Sequence, residues 1–395
     1  MDLERARYLT SSDGRRALAS LDPALGSLDV MALASELRRR FTSGTAAALG
    51  EQLALRARAR ERLGDDAGFL YTGPGLEMIT HPVVAERRAS RLARLGLPVA
   101  DLTVGLGGDL RACRAAGLAC AGADTDAATA LLASANLPGV PVVRADAAHP
   151  PFRIGEMAVI LDPSRRTDRA RTFDPDAFSP PWEVALAVLQ QARAGVLKTA
   201  PGISDVHLPP EAEVEFVQLG RTLREAALWM GAGAVPGLRR AVLLPQGLEL
   251  DSTAPAASPA PEAPGAFVFD PVPCVTRATA VLQLGHLLGA SLLDRHVAYL
   301  TGPEPAHHPM CATFEVLDVL PFSVGRLRTY LRGRGFAAQE IRRRAFPVEP
   351  DELRKLLGRQ EGTPVALLCT TISGKRTVIV ARRSAPPGNE PAEIA

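Results

Sequence analysis

Apolar residues return every three or four positions through Leu28–Phe41 (LDVMALASELRRRF) and Ala46–Leu63 (AAALGEQLALRARARERL). That spacing lines one face of a helix. Residues 1–77 therefore read as a helical region whose arginine-rich faces are solvated surface. From Pro98 the pattern shortens. The runs PVADLTV, GLACAGAD, VPVVRAD, EMAVILD and AGVLKTA alternate with helix-like stretches such as AATALLASANL and PWEVALAVLQQARA. Strand–helix alternation implies α/β architecture, a parallel sheet with helices on both faces. After Lys198, EVEFVQL, EAALWM and RRAVLLP follow at short gaps and predict antiparallel strands finishing that sheet, although EAALWM also fits a helical turn. The expected domain covers 78–250.

Residues 251–265, DSTAPAASPAPEAPG, offer little to bury and read as a flexible linker. A connecting strand and helix segment is expected over 266–310, with FVFDPVPCV, the helix-like TRATAVLQLGHLLGASLL and HVAYLT. A small α+β unit is expected over 311–384, and a disordered tail over 385–395.

A chain of 395 residues is long enough for two or three domains. Its 47% hydrophobic and 22% charged residues exclude a disordered polyelectrolyte, as does a net charge of only +2. No apolar run reaches the ~20 residues that span a bilayer, and the first residues carry no signal-type apolar stretch. The expectation is a cytoplasmic protein without membrane contact. Cys113, Cys120, Cys274, Cys311 and Cys369 are scattered and form no CxxC pair. Neither a disulfide framework nor a metal centre is expected. His307, His308 and Cys311 sit in a proline-flanked loop without a fourth ligand nearby.

The chemistry concentrates in Asp101-Leu-Thr-Val-Gly105-Leu-Gly107-Gly108-Asp109. An acidic residue ends a strand, and a glycine-rich turn opens a helix. Glycine lets backbone approach a ligand and reach positive φ at low cost, and the helix N-terminus offers free N–H groups. Nicotinamide enzymes share such turns, but the GxGxxG fingerprint lacks its final small residue here, where Leu110 stands. The carboxylate at Asp101 would repel a pyrophosphate and suits the ammonium and sulfonium of S-adenosylmethionine. Asp124 ends the next strand, where an acid accepts from ribose hydroxyls; of Asp124 and Asp126, the second reads as the cap of the following helix. Asp146 ends the third strand, in place for an adenine amino group or as a plain loop residue. Asp109 reads equally as a ligand contact or as a favourable charge on a helix dipole. Asp162-Pro163 ends the fourth strand, where an acceptor substrate would bind, and Asp162 would orient an amine. Arg165 and Arg166 follow, as a grip for phosphates or bases or as a surface pair on a turn. Lys198, His207 and Glu213 fall near the same sheet edge, for pocket or for structure.

This series of motifs resembles the class I S-adenosylmethionine-dependent methyltransferases, and in particular the bacterial members with a C-terminal THUMP-like domain. RYLTSSDGRRAL, DLTVGLGGDL, LDPSRRTDRARTFDPDAFSPP, KTAPGI, HVAYLT, FEVLDVLPF and EIRRRAFPVEPDELRKLL carry the resemblance. It implies a Rossmann-like sheet, S-adenosylmethionine bound by Asp101, Gly105, Gly107, Asp109, Asp124 and Asp146, and Asp162 and Pro163 at the reacting centre. Amine-methylating relatives carry an aromatic residue where Arg165 stands, which leaves the acceptor atom open. DLTVGLGGDL also resembles the trimethylguanosine synthases, but the Ser-Pro-Pro-Trp substrate motif of those enzymes is read as absent, and their activity is not carried over.

The resemblance also implies an RNA partner, tRNA or rRNA, rather than DNA. Charge agrees. Residues 321–384 hold 14 basic and five acidic side chains, an excess of +9 in a chain of +2. Arg342, Arg343 and Arg344 are the densest cluster and the expected phosphate contacts. A protein or small-molecule acceptor, or RNA binding without catalysis, are the alternatives.

Overall fold

The computed structural model describes residues 1–64, 68–165, 178–253 and 263–384. Most of the expected linker, the expected tail and Arg166 with the rest of 166–177 lie outside the described residues. The chain forms two compact units. One comprises 1–213 and 225–237, the other 214–224 and 238 onward.

The first unit opens with six helices: α1 (Leu3–Thr10), α2 (Ser12–Ala19), α3 (Val30–Arg38), α4 (Ser43–Leu63), α5 (Gly73–Met78) and α6 (Pro82–Ala93). Side-chain caps start several of them. Asp2 accepts from Arg5 N, Ser11 from Gly14 N, and Asp29 from Met31 N and Ala32 N, each satisfying a donor the helix leaves orphaned. Gly64, at φ 75°, ends α4. Leu33 and Leu37 of α3 and Leu49 and Leu53 of α4 bury the faces the periodicity marked.

The chain then alternates: β1 (Val99–Asp101), α7 (Gly108–Ala115), β2 (Cys120–Asp124), α8 (Ala127–Asn136), β3 (Val142–Arg144), β4 (Ala158–Leu161), the short β5 (Ser164–Arg165) and β6 (Phe178–Ser179), α9 (Trp182–Gln191) and β7 (Ala194–Thr199). Strands β7, β4, β1, β2 and β3 lie side by side in that order, all parallel. Every residue of β1, β4 and β7 is buried, as expected for strands covered on both faces. EAALWM is settled as strand. It lies in β9 (Thr222–Gly231), after β8 (Glu213–Leu219), and pairs antiparallel with β7 from Ala194↔Gly231 to Thr199↔Ala226. The helices before β1 share one apolar core with the sheet, in which Leu49, Leu76, Leu106, Leu137 and Ile160 all take part. Polar clamps lock this packing. Gln52 exchanges hydrogen bonds with the backbone of Tyr71, and Asn136 accepts from Leu70 N and donates to the carbonyls of Leu70 and Leu106.

In the second unit, residues 214–219 of β8 run parallel to β10 (Arg239–Leu244), which pairs antiparallel with β11 (Leu248–Asp251). Next come β12 (Phe267–Pro271), α10 (Pro273–Arg277), α11 (Val281–Leu288), β13 (Ser291–Asp294), β14 (Val297–Gly302), β15 (Cys311–Pro321), α12 (Val324–Arg334), β16 (Phe336–Arg343), α13 (Pro350–Leu357), β17 (Thr363–Ile372) and β18 (Lys375–Ser384). These strands make one seven-stranded sheet, ordered β13-β14-β12-β15-β18-β17-β16. The sheet runs across residue 311: β12 pairs with β15 in register Val268↔Phe314, and 266–310 supplies three of its strands. The expected helix over 276–293 is broken. Thr279 has φ 56° between α10 and α11, Gly289 at φ 61° caps α11, and the apolar residues that follow go into β13. Leu327, Leu331, Leu353 and Leu357 bring α12 and α13 onto Leu367 and Val380.

Candidate active site

The turn after β1 is built by backbone. Gly105 has φ 53° and Gly107 φ 93°. A Cβ on Gly105 would meet nothing closer than Thr103 O at 3.9 Å, so this side of the turn is open. At Gly107 a Cβ would lie 2.7 Å from Leu137 Cδ1, and at Gly108 2.8 Å from Ile79 Cγ1. Glycine at 107 thus answers to packing and φ, where the expectation was ligand approach. Gly105 is the open position.

Three expected acids meet at this turn. Asp101 is buried at the end of β1 and accepts from Thr103 N at 3.0 Å and Thr103 Oγ1 at 3.5 Å through one oxygen. Its other oxygen accepts no hydrogen bond from the described residues. Burial, with the Asp109 carboxylate nearby, pushes its pKa up to about 7. Asp124 receives Gly105 N at 3.1 Å and Asp126 N at 2.9 Å, one on each oxygen, and burial raises its pKa against those bonds. Asp126 accepts from Thr129 N and caps α8, as the sequence suggests. Thr103 Oγ1 also accepts from Asp162 N at 2.6 Å, joining the ends of β1 and β4.

Asp109 sits in the first turn of α7, inside a buried ion network. Arg88 of α6 pairs with Asp109 and Glu225. Lys198, at the end of β7, donates to Thr80 Oγ1 at 2.7 Å, to Asp109 Oδ2 at 3.1 Å and to Asp162 Oδ2. Thr80 Oγ1 donates to Asp109 Oδ2 at 2.8 Å. Burial opposes the charge on Arg88, Asp109 and Lys198, yet their partners win; at Glu225 burial wins and raises the pKa. Arg88 and Lys198 hold Asp109 below the usual carboxylate range, while Asp109 and Asp162 raise Lys198 above that of a free lysine. Lys198 therefore stays cationic with three acceptors for its three hydrogens. Asp162, with its side chain 40% exposed, is where the network reaches the surface. The reading of Asp109 as a cofactor contact is corrected: its oxygens serve Arg88, Thr80 and Lys198.

Other candidates lie apart. Asp146 is exposed and closes its own turn through Ala148 N at 2.9 Å. Glu213 is buried against Arg91 at 2.6 Å and accepts from Val235 N, a structural pair with Arg91 stacked 4.1 Å from the Trp229 ring centroid. His207 belongs to a short turn, Asp205–His207. The backbone of Arg165 pairs with Phe178, and Ser164 with Ser179. This ladder brings Ser179-Pro180-Pro181-Trp182 beside the residues after Asp162-Pro163. The expectation that a Ser-Pro-Pro-Trp motif is absent is corrected: it stands at residues 179–182, leading into α9. Trp182 is buried against Phe178.

In the second unit the arginine cluster is corrected too. Arg342 and Arg344 both pair with the buried Asp270, over the rings of Phe314 and Tyr299, and Arg343 pairs with Glu349 and donates to Phe346 O at 2.8 Å. Of the arginines expected on RNA phosphates, Arg342 and Arg344 are held against buried Asp270, while Arg343 stays exposed.

Two curated proteins of Mycobacterium tuberculosis, from strains CDC 1551 and H37Rv, are each 33% identical to this chain over 353 residues, covering 85% of it and 95% of their own length. Both are named as uncharacterised S-adenosylmethionine-dependent methyltransferases. The chain belongs to the S-adenosylmethionine-dependent methyltransferase family. The THUMP domain-like family matches residues 311–383 of this methyltransferase, and a domain family of unknown function matches residues 2–59. The crystal structure of a proposed methyltransferase from Porphyromonas gingivalis W83 superposes with a TM-score of 0.71 over 97% of this chain and 98% of that one, at 21% identity, and so shares the fold.

The residues of the methyltransferase fit the cofactor. The open position at Gly105, the unused oxygen of buried Asp101 and the carboxylate of Asp124 stand at the carboxyl edge of parallel strands, where ligands bind in such sheets. Asp101 would hold the ammonium of S-adenosylmethionine and Asp124 its ribose. Thr80, Arg88, Thr103, Lys198 and Glu225 hold the carboxylates around this edge by hydrogen bonds and ion pairs. Of these, Thr103 lies inside the glycine-turn motif and Lys198 is one of only three lysines, at a strand end; Thr80, Arg88 and Glu225 carry no sequence signal.

Proposed function

We propose that this methyltransferase modifies a base nitrogen in an RNA, a tRNA or rRNA. The carrying observation is the match of residues 311–383 to the THUMP domain-like family, which overlaps the 321–384 stretch with its +9 charge excess. With Arg342 and Arg344 engaged on Asp270, the phosphate surface extends to α12, where the side chains of Arg326 and Arg332 are exposed and make no ion pair or hydrogen bond with the described residues. Asp101, Asp162 and Pro163 take the roles assigned from the sequence. S-adenosylmethionine supplies a methyl group already activated on a sulfonium. The protein's part is to align the acceptor lone pair with that methyl and to receive the amine hydrogens on Asp162, whose free edge faces outward while Lys198 fixes the other. The base must be unpaired or flipped.

The test is transfer of labelled methyl to total RNA from a strain lacking the gene. Incorporation that disappears with Asp101→Ala and with Asp162→Ala supports the reading, and nucleoside analysis names the base. Absence of incorporation, with S-adenosylhomocysteine still bound, would redirect it to a protein or small-molecule acceptor.

A further inference from the structure

Of the three acceptors that receive the Lys198 ammonium, two are carboxylates and one is a hydroxyl, that of Thr80. Thr80 comes from the chain before β1, between α5 and α6. Its neighbour His81 precedes Pro82, which restricts it to extended backbone, here φ −60° and ψ 135°. Ile79 seats this short stretch on the first turn of α7. A Cβ at Gly108 would fall 2.8 Å from Ile79 Cγ1 and 3.7 Å from the Thr80 carbonyl oxygen, so the two segments pack without space for a side chain at 108. The branched Cβ of Thr80 stiffens its χ1. The hydroxyl is therefore delivered to the sheet edge by a fixed backbone and a side chain with little freedom.

Counting donors leaves one arrangement of these groups. A carboxylate only accepts and an ammonium only donates. The single proton of the Thr80 hydroxyl goes to Asp109 Oδ2 at 2.8 Å, and its lone pair receives Lys198 Nζ at 2.7 Å. Lys198 also donates to Asp109 Oδ2 at 3.1 Å. With two hydrogens of a tetrahedral ammonium so directed, the direction of the third is set, and it meets Asp162 Oδ2. A lysine stem is flexible and its ammonium has no preferred heading of its own, so the heading belongs to its partners. Arg88 holds the other oxygen of Asp109, which keeps that carboxylate braced with or without the hydroxyl. Loss of the hydroxyl thus releases Lys198 more than Asp109. Asp162 N donates to Thr103 Oγ1 at 2.6 Å, so Asp162 is held by its backbone and by Oδ2, while Oδ1 receives no hydrogen bond from the described residues. We infer that Thr80 is a positioning residue for methyl transfer: its hydroxyl directs the Lys198 ammonium, which in turn orients the remaining oxygen of Asp162 toward the acceptor. This rests on the reading of Asp162 as the carboxylate that receives the acceptor amine.

The scarcity of lysine makes the ammonium observable. Lys198, Lys355 and Lys375 are the only lysines, and the last two are exposed. In the NMR spectrum of the full chain isotopically labelled at lysine Nζ, the buried Lys198 ammonium should exchange slowly with water and the exposed pair fast, with Lys198→Arg assigning the protected signal. Thr80→Val keeps the branched shape and deletes the hydroxyl; Thr80→Ser keeps the hydroxyl. Each is also assayed for thermal melting, S-adenosylhomocysteine affinity and methyl transfer to total RNA from the deletion strain over a range of RNA concentrations. Thr80→Val should lose the protected signal and slow maximal transfer about tenfold or more, the scale of a small misplacement at a reacting centre. Half-saturating RNA and S-adenosylhomocysteine affinity should not change, as for a group that acts only on the chemical step. Thr80→Ser should recover signal and rate. Thr80→Ala replaces Thr80→Val if the latter shows no cooperative melt. A wild-type rate in Thr80→Val overturns the inference. So does a Thr80→Ser protein as slow as Thr80→Val, which would assign the effect to packing of the methyl group. If the unaltered protein transfers no methyl to RNA, the RNA reading falls and the Lys198 signal decides alone: lost in Thr80→Val and recovered in Thr80→Ser it upholds the positioning role, and unchanged in Thr80→Val it overturns it.

Discussion

Each unit buries arginine or lysine against carboxylates, and the two clusters end differently. In the first, charge passes from Glu225 through Arg88, Asp109 and Lys198 to Asp162, which is 40% exposed at the sheet edge. In the second, Arg342 and Arg344 converge on Asp270, which is 7% exposed, and the cluster ends there. Charges taken out of water cost several kcal/mol each unless fully paired, so neither cluster is explained by stability alone. The second orients β16 against β12. The first also presents a carboxylate of fixed direction beside the cofactor loop. The first network has an outlet at the sheet edge, and the second has none.

Four measurements sharpen that contrast. Lys198→Met leaves Asp109 and Asp162 without their shared cation, and urea unfolding should register a loss of about 3–5 kcal/mol together with methyl transfer. If stability held, the network would not be the frame of the site. Asp162→Asn removes the outlet alone. Methyl transfer should fall ~10²–10³-fold, the scale of one lost oriented polar group at a reacting centre, with S-adenosylhomocysteine affinity retained. Asp270→Asn should cost less than Lys198→Met, on the order of 1–3 kcal/mol because its arginines are partly solvated, and should leave cofactor affinity untouched. The smallest effect is one of pH. Asp101 in the free enzyme has a pKa of about 7, above the usual 3.8. Between those values the folded protein holds a proton that the unfolded chain has released, so this group favours folding as pH falls from 7 toward 4. Binding an ammonium requires the carboxylate. Calorimetry should therefore show S-adenosylhomocysteine affinity level above pH 7 and falling by up to about tenfold per unit below it, with Asp101→Asn weak and flat throughout.

The alternation of short apolar runs with helices was enough to read the parallel sheet, because each of those elements is set by local periodicity. Asp101, Asp124 and the cap at Asp126 were legible for the same reason: they are adjacent to the elements they end or begin. The network was not. Arg88 meets Asp109 across 21 residues, Lys198 meets it across 89, and Arg88 meets Glu225 across 137. No motif announces such closures. The same blindness produced the error at Arg342–Arg344. A run of arginines looks like a solvated patch until a carboxylate 72 and 74 residues upstream comes to meet it. That the strands of 266–310 join the sheet of the following residues was not legible either, because the pairing of β12 with β15 is nonlocal.

Asn136 ties the chain before β1 to the carbonyl of Leu106 in the glycine turn, and Thr80 stands within the network. The first eighty residues are thus no detachable module grafted onto a nucleotide-binding fold. Shortening the protein to its sheet would remove the brace of its own glycine turn.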